Sequence, residues 1–172
     1  MTKMDIGVVP IDGERTPTLV IRGPSDEGRP AVSPDGRWIA YQSNVSGRFE
    51  IYVQPFPELS DRWQVSTDGG ASPIWDPSGR ELFYRNDRAV MSVPVTTVGR
   101  AFSYGNPRML FAGSYVPEES AVGGGRSYAL APDGRRFLMM KEQGRAEGDS
   151  DATQIVVILN WVKELDRLVP TN

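Results

Sequence analysis

A short turn motif recurs three times and constrains the fold of this chain more than any other feature. It reads Pro34-Asp35-Gly36, then Pro77-Ser78-Gly79, and then Pro132-Asp133-Gly134, each followed by arginine. Proline presets φ, the Asp35 carboxylate can accept nearby backbone N–H groups, and glycine takes the positive φ that a tight reversal requires. Short stretches rich in aromatic and β-branched residues adjoin each copy, so the motif predicts β-hairpins with structural turn residues.

The spacing of these turns indicates a repeat. The turn prolines at 34, 77 and 132 are 43 and 55 residues apart, and the second spacing is the first plus an insertion. A period in the low forties built of four strands is typical of a β-propeller blade. The sequence therefore predicts an all-β fold, a partial β-propeller of about three and a half four-stranded antiparallel blades, with a short C-terminal helix.

The match of strand sequences between repeats sets the expected boundaries. The segment Ile6-Gly7-Val8-Val9-Pro10 matches Ile51-Tyr52-Val53-Gln54-Pro55, which is the third strand of its repeat. The predicted units are the last two strands of a blade at 1–28, whole blades at 29–66 and 67–112, an incomplete blade at 113–160, and a helix and tail at 161–172. Such an arc leaves sheet edges unclosed, so we expect an open arc or self-association of two copies.

The absence of two residue types excludes several kinds of catalytic site. The chain contains no histidine and no cysteine. A Ser-His-Asp or Cys-His nucleophile, a zinc site with histidine, and thiolate chemistry are therefore excluded. The segment Gly123-Gly124-Gly125-Arg126-Ser127 lacks the Gly-Lys-Ser/Thr ending of a phosphate loop, which favours a hinge. We expect no catalysis within this chain, no cofactor and no metal.

Charge and hydropathy narrow the range of partners. The net charge is −3, with 19 basic residues scattered among 22 acidic ones, so no basic stripe suggests a nucleic-acid partner. There is no run of eighteen apolar residues and no signal peptide is visible, so we expect no membrane contact within this chain. The lack of cysteine does not determine the compartment.

Three phrases carry a resemblance to a known family. The segments SPDGRWIAYQSN, GRFEIYVQPFP and SPIWDPSGRELFYRN resemble the Pro-Asp-type, WD-repeat-like propeller repeats of TolB-like proteins. They are similar above all to the propeller that follows the kinase domain in some bacterial eukaryotic-like serine/threonine protein kinases. The closing segment QIVVILNWVKELDRLVPTN also looks like the C-terminal end of that family. The resemblance implies a sensor or interaction propeller, extracytoplasmic (periplasmic) when attached to a membrane-spanning kinase.

The residues leave three functional hypotheses open. The first is a non-catalytic binding or sensor module, the C-terminal half of a kinase propeller; the kinase motifs themselves are absent, so no catalytic residue is carried over. The second is a TolB-like envelope protein-interaction propeller. The third is an accessory propeller of a prolyl-oligopeptidase-like hydrolase, although the chain has no Gly-x-Ser-x-Gly elbow.

The expected working surface is one rim of the propeller, where a protein or peptide partner would bind. Loops between second and third strands share a rim with loops that join one blade to the next, and long loops on a rigid scaffold commonly bind partners. The two longest, 113–127 and 142–152, carry an excess of acidic residues, which favours a basic or neutral-polar partner. Alternatively, both loops are only tolerated insertions. The predicted rim residues are Asn44, Arg48, Asp87, Glu118, Glu119, Arg126, Glu147, Asp149 and Asp151.

Overall fold

A computed structural model describes residues 4–118 and 125–141 and the backbone of residues 155–157. The described residues form fourteen strands in four antiparallel sheets, and the fold is an all-β partial β-propeller. The C-terminal helix predicted at 161–172 lies outside the described residues. The chain begins with what we call the start sheet, which contains β1 (Ile6–Val8) and β2 (Thr18–Ile21).

Two larger sheets follow the start sheet and one smaller sheet ends the described chain. The first blade contains β3 (Glu27–Val32), β4 (Trp38–Ser43), β5 (Glu50–Pro55) and β6 (Trp63–Gln64). The second blade contains β7 (Ala71–Trp75), β8 (Glu81–Asn86), β9 (Ala89–Val98), β10 (Ala101–Tyr104) and β11 (Arg108–Ala112). The last sheet contains β12 (Tyr128–Leu130), β13 (Phe137–Met140) and β14 (Ile155–Val157).

The core lies between the sheets, because successive apolar residues of a strand point to opposite faces of its sheet and both faces are covered by a neighbouring sheet. In β4, Trp38 and Ala40 join the cluster shared with the second blade, whereas Ile39 and Tyr41 pack against Ile6 of the start sheet. A third cluster fills the space between the second blade and the last sheet. Each sheet is therefore held by its neighbours, as large flat side chains between stacked sheets require.

The second blade departs from the predicted four strands. Strand β9 continues to Val98, reverses at Gly99, where φ is +59°, and returns as β10. Phe102 of β10 packs on two indole rings of the first blade, with centroids 5.1 Å from Trp38 and 5.2 Å from Trp63. The extra hairpin thus covers an aromatic cluster that a four-stranded blade would leave open to water.

The three motif turns adopt one geometry. The φ angles of Gly36, Gly79 and Gly134 are +72°, +70° and +68°. Each glycine N–H donates to the carbonyl oxygen three residues earlier, at distances of 2.8 to 2.9 Å. The Asp35 carboxylate accepts from the backbone N–H of Arg37 at 3.1 Å, and the Asp133 carboxylate accepts from that of Arg135 at 3.0 Å. Both aspartates therefore serve local turn structure.

Successive turns also pack on one another. A Cβ atom added at Gly79 would lie 3.8 Å from Cδ of Pro34, in the preceding turn. At Gly134 the same atom would lie 2.8 Å from Oδ1 of Asp76 and 3.1 Å from Cδ of Pro77. Gly134 is thus required both by its backbone conformation and by the close approach of the turn before it.

Buried tyrosines make the stability of the folded protein decrease at alkaline pH. Burial raises the pKa of Tyr41 and of Tyr84 to about 12, and the Tyr41 hydroxyl donates to Oε1 of Gln54 at 2.6 Å. The unfolded chain ionises these phenols near pH 10, so between pH 10 and 12 the unfolded state binds fewer protons and stability falls as pH rises. We expect a loss of about 1 kcal/mol per pH unit for each tyrosine.

Urea unfolding measured at intervals from pH 8 to above pH 10 checks this expectation. The unfolding midpoint should fall above pH 10 and recover when the sample returns to pH 8. Burial also raises the pKa of Tyr128 and adds to the decline, and because Tyr84→Phe removes one of these phenols, this variant should show a shallower decline than the parent. A midpoint that stays level above pH 10 would contradict the assignment.

Candidate functional site

The predicted rim residues that the structure describes lie on neighbouring loops. Arg48, in the loop between β4 and β5, contacts the Glu50 carboxylate at 2.7 Å and that of Asp68 at 3.3 Å. Asn86, at the end of β8, donates from Nδ2 to the Asp68 carbonyl at 2.9 Å. Asp87 follows in the exposed β8–β9 turn with a φ of +48°. The loops of the first two blades are therefore joined into one surface, which we call the loop rim.

Glu118 does not have the exposed position that we expected of a rim residue. Its side chain is only 5% exposed. One carboxylate oxygen accepts from the backbone N–H of Ser127 at 2.9 Å and from the Ser127 hydroxyl. The other accepts from the Ser72 hydroxyl and lies 3.2 Å from Nη1 of Arg29. Because its oxygens are engaged inside the protein, Glu118 cannot offer a free charge to a partner.

The groups around Glu118 occupy one repeated position. Arg29, Ser72 and Ser127 each stand five residues before the turn proline of their repeat, on or just before the first strand. A single carboxylate from the loop between the second blade and the last sheet therefore holds three consecutive repeats together. Arg29 and Ser72 share the positive φ values of +52° and +53°. This common backbone conformation aims both side chains at the same carboxylate.

Two other predicted rim residues, Arg126 and Asn44, make structural contacts. Arg126 donates from Nη2 to the Pro30 carbonyl at 3.1 Å, and burial lowers its pKa. The Asn44 amide exchanges two hydrogen bonds with Asp26, at 2.9 and 3.1 Å. These contacts tie the last sheet to the first blade and brace the start of β3. The others, Glu119, Glu147, Asp149 and Asp151, lie outside the described residues.

Three residues near Glu118 were not singled out from the sequence. Arg85 is 1% exposed and donates to the Ser127 hydroxyl at 3.0 Å and to the Asp87 carbonyl at 2.6 Å. The Tyr128 hydroxyl donates to the Ser72 carbonyl at 2.6 Å, and Gln42 accepts from the Ser72 N–H at 3.1 Å. One signal in the sequence could have indicated this site. Arg85 lies among apolar residues of β8, and a buried cation needs hydrogen-bond or ion-pair partners.

A cavity of about 770 Å³ opens between these elements on the loop rim. Gly28, Gly69 and Gly70 contribute bare backbone to it, and Phe49 and Pro117 contribute apolar surface. A Cβ atom added at Gly28 would meet no atom within 4 Å, so the cavity has free space at this point. Gln42 also lines it, and among the described residues no partner accepts a hydrogen bond from its Nε2.

A smaller cleft of about 260 Å³ lies at the opposite, turn-bearing rim between the first two blades. Asp35 borders it, but its carboxylate is already engaged by the Ser33 hydroxyl at 2.6 Å and by Nε of Arg37 at 2.9 Å. The Trp38 ring also borders it, and its buried Nε1 has no partner among the described residues. With its carboxylate occupied, this cleft offers less to a partner than the cavity on the loop rim.

The two hydroxyl groups that contact Glu118 lie inside the protein. Ser72 and Ser127 both donate to this carboxylate, both serines are fully buried, and the carboxylate is also paired with Arg29. In residues 4–118 and 125–141, no cluster of three or more acidic side chains is arranged to hold a metal ion. Within the described part of the chain, no helix has the length and hydropathy needed to cross a membrane.

Comparisons with known proteins support the fold. Neither the family models nor the curated proteins give a match to this chain. Among solved structures, a protein assigned as a 6-phosphogluconolactonase from Bacteroides uniformis is similar, with a TM-score of 0.52 and 15% identity over 78% of this chain and 40% of that one. This likeness concerns the fold alone.

Two structures of TolB are also similar to this chain, with lower TM-scores. A protein assigned as TolB from Agrobacterium tumefaciens has a TM-score of 0.49 and 25% identity, over 62% of this chain and 40% of that one. TolB from Acinetobacter baumannii has a TM-score of 0.45 and 17% identity, over 88% of this chain and 47% of that one. The chain therefore spans less than half the length of each of these three structures.

Proposed function

We propose that this chain is a non-catalytic propeller module that binds a protein or peptide partner in the cavity of the loop rim. The cavity of about 770 Å³, open at the rim and floored in part by glycine backbone, is the observation that carries this proposal. Its volume lies in the range of ligand pockets, and its walls belong to loops held by a rigid β scaffold.

The hydrogen-bonding groups of the cavity indicate the chemistry of the partner. The guanidinium groups of Arg29, Arg48 and Arg85 are all engaged by acceptors of the protein itself. The cavity therefore offers no free cation among its described residues, which disfavours a phosphate or carboxylate as the main determinant. The Nε2 of Gln42 can donate and the exposed Asp87 carboxylate can accept, a combination that suits the amides of an extended peptide.

Two finer assignments rest on the sequence phrases quoted above. A propeller region of a bacterial serine/threonine protein kinase is supported by the SPDGRWIAYQSN-type repeats and by the closing segment. A TolB-like envelope interaction propeller is supported by the same repeats, without the closing segment. The coding sequence upstream of Met1 distinguishes them: a kinase domain with a membrane span selects the first, and a signal peptide alone selects the second.

Filling the cavity should weaken peptide binding without unfolding the protein. Gly28→Leu places a side chain in free space, and because φ at Gly28 is not positive, backbone strain is not expected. Gly23→Leu is the matched control, since a Cβ atom there also meets no atom within 4 Å and Gly23 does not line the cavity. Peptides selected from a random phage-displayed library on the parent should bind Gly28→Leu at least about tenfold more weakly, the equivalent of 1.4 kcal/mol, and Gly23→Leu unchanged.

Thermal unfolding of both variants provides the control for folding. The two midpoints should stay close to that of the parent, because a Cβ atom at either position meets no other atom within 4 Å. If the selected peptides bind all three proteins equally, the partner site is elsewhere on the chain. If the parent selects no peptide at all, the proposal that the cavity takes a peptide fails.

A further inference from the structure

Two side-chain amides of the first two blades have orientations that are fixed by their backbone partners. The Ser72 N–H donates to Oε1 of Gln42, which belongs to β4, at 3.1 Å. Nδ2 of Asn86, at the end of β8, donates to the Asp68 carbonyl oxygen at 2.9 Å. A backbone N–H only donates and a backbone carbonyl only accepts, so neither amide can turn over without losing its bond. Gln42 therefore keeps Nε2 as a free donor, and Asn86 keeps Oδ1 as a free acceptor.

Both of these free atoms are open to the cavity of the loop rim. Gln42 and Asn86 line it, and among the described residues nothing accepts from the one or donates to the other. The described side-chain atoms that are buried without a partner are Glu27 Oε2 and Trp38 Nε1, so the two free amide atoms are not sealed inside the protein. A Cβ atom added at Gly69, another lining residue, would lie 4.0 Å from Oδ1 of Asn86 and meet nothing else within that distance. Glycine at this position leaves the approach to the oxygen open.

The lining residues differ in how deeply they lie. Gln42 is 7% exposed, Asn86 is half-buried and Asp87 is exposed, which places Gln42 at the floor of the cavity and Asp87 at its mouth. A peptide backbone that crosses the mouth therefore reaches Gln42 through one of its side chains. Phe49 and Pro117 supply apolar surface for the methylene groups of such a side chain.

We propose that the partner peptide inserts an asparagine or glutamine side chain, whose carbonyl oxygen accepts from Nε2 of Gln42 and whose NH2 group donates to Oδ1 of Asn86. This inference rests on the proposed function, since it assigns the group that the cavity recognises. A primary amide carries an acceptor and donors on one planar group, as this pair requires. A carboxylate would meet Asp87 and no free cation among the described lining residues. A cationic side chain would place its donors against the donor of Gln42.

Peptide selection on the parent protein is the first test. Peptides selected from a random phage-displayed library should share an Asn or Gln at one position. Replacing that residue by the corresponding acid keeps its shape but removes the donor and adds a negative charge. This replacement should weaken binding at least about tenfold, the equivalent of 1.4 kcal/mol, and so should replacement by leucine.

Gln42→Glu reverses the hydrogen-bonding character of the cavity floor. One carboxylate oxygen still accepts from the Ser72 N–H, and the other is an acceptor where Nε2 was a donor. The parent's peptides should bind this variant at least about tenfold more weakly, and peptides with lysine at the shared position should now bind it better than they bind the parent. Asn106→Asp is the control, because Asn106 is exposed in the β10–β11 link and does not line the cavity. It makes the same chemical change and should alter neither preference.

The Gly28→Leu variant separates this inference from the proposed function. If the peptides that Gly28→Leu rejects share no Asn or Gln, or bind equally after the change to the acid, the amide assignment is wrong and the cavity remains the peptide site. An amide preference that Gln42→Glu leaves unchanged also overturns the assignment. If the parent selects no peptide, or its peptides bind Gly28→Leu as tightly as the parent, the proposed function and this inference fail together. Thermal unfolding verifies that Gln42→Glu is folded, and if it is not, the peptide replacements on the parent decide the question.

Discussion

Replacing Glu118 with alanine is expected to lower the free energy of unfolding by about 3 kcal/mol. The substitution leaves the Ser127 N–H, the Ser72 hydroxyl and the Arg29 guanidinium without the acceptor that now serves all three. Ser72 and Ser127 are fully buried, so the donors that lose this acceptor lie inside the protein. The midpoint of thermal unfolding should fall by roughly 10 °C for a chain of this size.

Two further variants separate the buried network from a general effect of charge. Glu118→Gln keeps the shape but places an N–H donor against groups that are themselves donors, so it should still cost about 2 kcal/mol. Glu58→Ala removes a carboxylate that is 74% exposed and paired with the exposed Arg100, so it should cost less than about 0.5 kcal/mol. Equal losses in Glu118→Ala and Glu58→Ala would contradict the assigned role.

The second large effect is expected at Gly134. Gly134→Ala forces a Cβ atom into the left-handed region, which costs about 1 kcal/mol, and drives it against Asp76 and Pro77 of the preceding turn. Together with the shift that this contact demands, the loss should reach about 3 kcal/mol. Chemical denaturation of the parent and the variant measures it directly.

The other two turns provide matched controls. Gly36 and Gly79 have the same positive φ, but a Cβ atom at Gly36 meets nothing within 4 Å and one at Gly79 makes only an ordinary contact with Pro34. Alanine at either position should therefore cost about 1 kcal/mol, the backbone contribution alone. If all three alanine variants lose the same stability, the packing of one turn on the next contributes little.

The sequence predicted the parts of the fold that depend on local chemistry. The all-β class and the partial propeller follow from a turn motif repeated at a blade-like spacing, and the strand alternation within each repeat places the core between sheets. These features depend on neighbours in sequence, such as the hydrogen bond from Gly36 N–H to Ser33. The sequence did not predict hairpin β9–β10. Its Phe102 packs on Trp38 and Trp63, which lie far from Phe102 along the chain, so no local pattern indicates this contact.

The candidate site was predicted only in outline. Loops between second and third strands were expected to share a rim with loops between blades, and this expectation placed Arg48 and Asp87 on the same side of the molecule as the cavity. It also treated Glu118 as a solvated charge, because acidic residues in loops usually are. The groups that bury this carboxylate lie 89 residues away at Arg29, 46 at Ser72 and 9 at Ser127. No local pattern encodes such a meeting, although the alignment of the repeats shows that the three partners are equivalent.

The extended strand β9 also determines how the edge of the second blade can fluctuate. Residues Ala89 to Ser92 pair with both β8 and β11, whereas Val95 to Val98 pair with β10. Fraying of β10 breaks no hydrogen bond of the β8–β9–β11 ladder, and fraying of β11 breaks none of the β9–β10 ladder. Amide hydrogens at the periphery can therefore exchange through two independent local openings. The two openings reach different clusters, because Leu110 and Phe111 of β11 pack between the second blade and the last sheet, whereas Phe102 of β10 packs between the first two blades.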